Sequence, residues 1–139
     1  AKYNNYYKDA NEDQTSGINF KYLRYADVLL MHVEAIMGSG VNTVDAGAIA
    51  SFQAVRERAG ITSSVNEITK TMLADERQVE LAFENHRFHD LVRLGLAIDV
   101  LSEYAANNGA SFSGTNLLLP IPQREIGLSN GLLTQNPGY

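Results

Sequence analysis

The sequence predicts a mainly α-helical fold made of helical hairpins of the tetratricopeptide type, with long irregular loops and an extended, proline-containing C-terminal segment. Three observations carry this expectation. Apolar residues recur at steps of three and four through much of residues 21–106, which is the period of a helix that buries one face. Glycine and asparagine stand where those runs stop, at Gly38, Gly40, Gly60, Asn85 and Gly95. Pro120 and Pro122 then forbid helix across residues 117–122 and favour an extended path.

The chain has 139 residues, of which 45% are hydrophobic and 19% charged, so it is long enough and apolar enough to bury a core as one domain, residues 1–139. Its net charge of -5 argues against a nucleic-acid partner, because phosphate binding calls for clustered Lys and Arg. With no cysteine there is neither a disulfide nor a thiolate metal site. The longest apolar stretch, Leu23 to Met37, is interrupted by Arg24, Asp27, His32 and Glu34, which does not suit a membrane span.

Residues 1–19 are polar, rich in Asn and Asp, and lack a sustained period, so they read as loop. They hold Tyr3, Tyr6 and Tyr7. Tyr6 and Tyr7 are the candidate ligand-binding residues, because an aromatic face beside a hydroxyl stacks on a sugar ring; covering the edge of a core is the competing role.

Lys21 to Met37 places Leu23, Ala26, Leu30, Val33 and Met37 on one helical stripe, and Tyr22, Val28, Leu29 and Ile36 widen it. A helix apolar on so many sides needs cover on more than one of them. If the chain stands alone, this predicts poor stability. Arg24 and Asp27, three apart, are expected to pair with each other. Gly38-Ser39-Gly40 ends the helix, Asn42 or Thr43 is expected to cap the next, and Asp45 lies favourably against its dipole. That second helix, Val44 to Ala59, carries a core stripe of Ile49, Phe52 and Val55 beside the small residues Ala46, Gly47, Ala48 and Ala50. The two make an antiparallel αα-hairpin. No second copy recurs at a fixed period.

A third helix is expected from Asn66 or Thr69 to Glu84, closed by Asn85, the non-glycine residue that best tolerates the left-handed conformation. Shorter helices follow over His86 to Leu94 and Ala97 to Ala106. Residues 107–116 are an Asn, Gly and Ser loop. Pro122 to Ile126 forms a single turn, and Gly127, Gly131 and Pro137-Gly138 keep the tail irregular.

Two clusters invite chemistry. Glu76, Glu80 and Glu84 stand one per turn on one stripe, and paired carboxylates serve acid-base or glycosidase reactions. Arg77 and Arg87 lie within reach of Glu80 and Glu84, however, and cationic partners hold carboxylates ionised, so an ion-pair lattice is the favoured role. His86, His89 and Asp90 share a face at a spacing that suits a metal, but HExxH is absent and no Glu precedes either His by three. No phosphate loop or GxSxG elbow occurs. Neither catalytic residues, nor a metal site, nor a cofactor is expected.

Three stretches, Tyr22 to Ile36 (YLRYADVLLMHVEAI), Asp75 to Gly95 (DERQVELAFENHRFHDLVRLG) and Leu117 to Tyr139 (LLLPIPQREIGLSNGLLTQNPGY), together resemble the C-terminal region of the SusD/RagB family of outer-membrane lipoproteins. They match in order and spacing over most of the chain. The departures are Asn85, where the family pattern usually has Gly, and His89, where it often has an aromatic. The resemblance implies a C-terminal piece of a longer protein, with a lipidated N-terminal part and a tetratricopeptide-like half preceding it. It implies a place on the outer face of the outer membrane, binding of an oligosaccharide or other nutrient without cleavage, and delivery to a SusC-like TonB-dependent transporter. No enzyme activity is implied. A helical scaffold for a protein partner, without a small ligand, is the alternative.

Overall fold

The computed structural model describes residues 22–139. Tyr3, Tyr6 and Tyr7 lie outside the described residues. The described part is mainly helical: α1 Tyr25–Met37, α2 Ala46–Arg58, α3 Lys70–Glu80, α4 Arg87–Arg93, α5 Ala97–Asn107 and α6 Gln123–Leu128.

Helix α1 turns Ala26, Leu30, Val33 and Met37 inward at steps of four, three and four, and Leu30 and Val33 are wholly buried. Gly38 takes a φ of 56° and returns its N–H to the Glu34 carbonyl, which closes the helix as the sequence anticipates. The cap of α2 differs from expectation. Asp45 itself is the N-cap, its carboxylate accepting from the N–H groups of Gly47 and Ala48 at 2.8 and 3.0 Å, whereas Asn42 and Thr43 enter a short strand. The anionic cap meets both orphan donors and the positive end of the helix dipole at once.

That strand, β1 (Asn42–Thr43), pairs antiparallel with β2 (Ile68–Thr69), Asn42 opposite Thr69 and Thr43 opposite Ile68. The pair ties the α1–α2 turn to the entry of α3 and drives Ile68 fully into the core. Thr69 then caps α3, its Oγ1 accepting from Met72 N–H at 3.1 Å. Leu30, Val33, Ala48, Phe52, Val55, Ile68 and Leu73 form the centre of the core between α1, α2 and α3. Burying side chains of this size stabilises by about 1.5–3 kcal/mol each.

Helix α3 stops at Glu80 rather than Glu84. Phe83 and Asn85 adopt φ of 66° and 65°, and a β-carbon in that left-handed region is incompatible with continuing a right-handed helix. The resulting turn swings α4 beside α3. Gly95, at φ 74°, makes the next break before α5.

Beyond a 3₁₀ turn at Gly114–Leu117, the chain is extended through Leu118 and the two prolines, then forms α6. The Gln135 side chain accepts from Ile121 N–H at 2.8 Å and donates to Ile121 C=O at 2.9 Å, while Asn136 Nδ2 donates to Leu119 C=O at 2.7 Å. Side-chain amides thus supply what a partner strand would. No helix among the described residues is long and apolar enough to cross a membrane.

Candidate functional site

The charged stretch of α3 and α4 converges on α1 through one buried cation. Arg77, on α3, is 3% exposed. Its Nε donates to Asp90 Oδ2 on α4 at 2.8 Å and its Nη1 to Asp27 Oδ1 on α1 at 2.8 Å. Both carboxylates are buried as well. A guanidinium suits this place because its planar fork serves two acceptors in different directions, which an ammonium cannot do with equal reach. Arg93 extends the chain of charge, bonding Asp90 Oδ1 at 2.8 and 3.1 Å and pairing with Glu34 of α1.

A second clamp lies beside it. Arg24, just before α1, bonds both oxygens of Glu84 at 2.9 and 3.1 Å, Glu80 Oε1 at 2.8 Å and the Glu80 carbonyl at 2.8 Å. The last bond places a cation on the C-terminal end of α3, where the helix dipole favours it. Arg58 reaches Glu80 at 2.5 Å, and Arg56 reaches Glu76 at 3.2 Å.

The expected ion-pair lattice is present, but with other partners. Arg24 does not pair with Asp27, nor do Arg77 and Arg87 serve Glu80 and Glu84. Arg24 and Arg58 hold Glu80, Arg24 holds Glu84, Arg77 holds Asp27 and Asp90, and Arg87 donates to the Ala74 carbonyl at 3.0 Å. Local spacing does bring Arg93 to Asp90 at i, i+3, yet packing also offers Asp27, Glu80, Glu84 and Asp90 a cation from elsewhere in the fold. Asp27 was the available clue, since a carboxylate on the buried side of an otherwise apolar helix requires a cation to come to it.

Electrostatics agree with clamping. The Arg24 guanidinium is pushed above its ordinary range, chiefly by its bond to Glu84. Burial pushes the Asp90 carboxyl up, but the bonds and charges of Arg77 and Arg93 outweigh it and hold it below the usual carboxylate range. Burial lowers Arg93, and its bonds to Glu34 and Asp90 more than reverse this. Asp90 is therefore held as an ionised acceptor, which is the opposite of what a general acid needs.

Asp90 is also unavailable to a metal, because Arg77 and Arg93 occupy both of its oxygens. His89 packs edge-on against Phe88, with ring centroids 5.8 Å apart. Among the described residues no group of three or more His, Asp or Glu is placed to hold a metal ion. Two open clefts flank the clasp. One, of about 390 Å³, lies between α2 and α3 and is lined by Phe52, Arg56, Met72, Glu76 and Val79. The other, of about 520 Å³, lies between α4 and the extended segment, against Phe88, His89, Val92 and Leu117 to Leu119.

Comparison with known proteins gives these features a setting. The model of the SusD family matches residues 1–139. A SusD-like protein P2 from Formosa agariphila is 32% identical over 155 aligned residues, which take in 100% of this chain and 30% of that protein. The structure of surface glycan-binding protein A from Bacteroides thetaiotaomicron is similar with a TM-score of 0.71 and 32% identity, over 85% of this chain and 24% of that one. A laminarin-binding SusD-like protein gives a TM-score of 0.66 and 44% identity, over 84% and 22%. The chain thus spans between 22% and 30% of the length of these relatives.

Proposed function

The chain belongs to the SusD family, and on that footing we propose that it is the C-terminal region, residues 1–139, of a longer cell-surface protein that binds a glycan without cleaving it. The family match over the whole chain is the observation that carries this reading. The chemistry of the clasp supports it: Glu76, Glu80 and Glu84 each have an arginine partner, so every carboxylate of that stripe is engaged in the packing of the helices.

In this reading the clasp holds α1, α3 and α4 in register so that the surfaces built on them are rigid, and the ligand meets loops and the remainder of the polypeptide. Tyr6 and Tyr7 are the candidate residues of this chain for stacking on such a ligand. The protein sits at the outer face of the outer membrane by a lipid anchor outside these residues and passes its glycan to a SusC-like TonB-dependent transporter. No cofactor takes part. Laminarin is the first ligand to try, given the relative that binds it. Full-length protein should migrate more slowly in native gels containing laminarin or another polysaccharide of a panel. Unchanged mobility across the panel, with no retention of transporter either, would sink the proposal.

A further inference from the structure

Asparagine is followed by glycine at only two places in the chain, Asn108-Gly109 and Asn130-Gly131. In such a pair the glycine nitrogen lies near the asparagine side-chain carbon, and no β-carbon on the glycine shields it. Once that nitrogen gives up its proton to hydroxide, it can attack Cγ. A C–N bond forms, the Cγ–Nδ2 bond breaks, and the nitrogen leaves as ammonia, closing a succinimide ring. Water then adds to either ring carbonyl and breaks one C–N bond, giving aspartate or isoaspartate. No oxidant, reductant or enzyme is required.

Hydrogen bonding separates the two pairs. Both are exposed, so burial does not distinguish them. At the end of α5 each reacting group is engaged: Asn108 Nδ2 donates to the Tyr104 carbonyl at 2.8 Å, and the Gly109 N–H donates to the Ala106 carbonyl at 3.3 Å. The N–H groups of Asn108 and Ala110 on either side both bond the Ala105 carbonyl, which fixes this turn around its reactive atoms. Past α6 the situation is different. Neither the Asn130 side-chain amide nor the Gly131 N–H has a hydrogen-bond partner among the described residues.

We propose that Asn130 is a site of spontaneous deamidation, selected over Asn108 by the hydrogen bonds that hold one pair and are lacking at the other. The position also gives the modification an effect. Asn130 sits at φ 52°, in the left-handed region that Asn, Asp and Gly tolerate best, so the aspartate product keeps the turn. Isoaspartate does not, because it routes the main chain through the side-chain carbons and lengthens it. The turn is closed by Leu132 N–H on the Ser129 carbonyl at 3.2 Å and Leu133 N–H on Ser129 Oγ at 3.0 Å. Those bonds aim the following residues back at the extended segment, where Gln135 holds Ile121. A longer turn loosens that hold.

Ageing full-length protein in mildly alkaline buffer, with peptide mass spectrometry following the amide at each position, tests this. Asn130 should be converted faster than Asn108 by roughly 30-fold, the factor that two net hydrogen bonds of about 1 kcal/mol each supply at about 1.36 kcal/mol per tenfold. In urea, where both pairs lose their surroundings, the two rates should converge. Equal native rates, faster loss at 108 or no loss at either position overturns the proposal. So does a native rate at 130 far below its rate in urea, since the folded polypeptide then shields the site. Asn130→Gly keeps the left-handed backbone without a side-chain amide and should abolish the acidic product; an undiminished acidic product overturns the assignment. Hydrogen exchange at the Ile121 amide should quicken in the isoaspartyl form and stay as it was in Asn130→Asp, and unchanged exchange in the isoaspartyl form overturns the effect on the turn. None of these readouts involves a glycan, so the outcome is independent of the functional reading.

Discussion

Replacing Arg77 by Met tests the clasp at its centre. The substitution keeps an apolar stem of similar length and removes the guanidinium that faces Asp27 and Asp90 at 2.8 Å each. Asp90 retains Arg93. Asp27, 4% exposed, keeps no cation among the described residues, so one buried carboxylate is stranded. Breaking a buried pair in this way costs about 3–5 kcal/mol. At 1.36 kcal/mol per factor of ten, amide hydrogens of α1 and α3 should exchange roughly 160- to 5,000-fold faster. Native-state hydrogen exchange on the full-length protein reads this directly. Adding Asp27→Leu to Arg77→Met should recover most of the loss, because the stranded charge has gone and an apolar pair packs in its place. A single variant that loses less than about 1 kcal/mol, or a double variant no better than the single, would refute the assignment of Arg77 as the buried tie.

Further outcomes follow from particular residues. Asp90 has a folded-state pKa below its unfolded value near 3.9, so its contribution is complete above that pH and is lost as pH falls through the depressed folded value. Urea midpoints measured from pH 5 to pH 2 should fall steeply at the acid end, and Asp90→Asn should flatten that dependence. Asp45→Ala should destabilise α2 by about 0.5–2 kcal/mol while Asp45→Ser stays near wild type, as read from the exchange of its first-turn amides. Asn85 at φ 65° should accept Gly with little change, whereas Asn85→Val should cost about 1–2 kcal/mol in chemical denaturation. Phe52→Ala, at a side chain 1% exposed between α1 and α3, should cost about 3–5 kcal/mol by the same assay.

Helices α1 to α5 were legible because each buries one face, and a 3.6-residue period survives in any sequence that does so. Leu30, Val33, Phe52 and Leu73 announce themselves by spacing alone, and Gly38 and Asn85 mark their breaks through the left-handed backbone they permit. The β1–β2 pair was not legible, since two residues per strand are too few to show alternation. The end of α3 falls four residues before the Glu84 expected from Asn85, because Asn85 is not the first residue to leave the right-handed helix: Phe83 already takes a positive φ that its side chain gives no sign of tolerating. In the clasp, residue types foretold an ion-pair lattice, while the partners did not follow from spacing. Arg24 meets Glu80 and Glu84 across 56 and 60 residues of chain, a proximity that only the packing of α1 on α3 creates. The candidate contacts Tyr6 and Tyr7 lie outside the described residues, and their part in binding remains a proposal.

Titration calorimetry of the full-length protein with laminarin, followed by sizing of the recovered polysaccharide, shows whether it binds a glycan and leaves it uncut. Binding without cleavage gives saturable heat and a recovered glycan of unchanged length, both unaffected when Glu76, a paired carboxylate of the clasp, is replaced by Gln. Shortened glycan whose production disappears with Glu76→Gln would contradict it, as would the absence of binding to laminarin and to every other glycan of the panel.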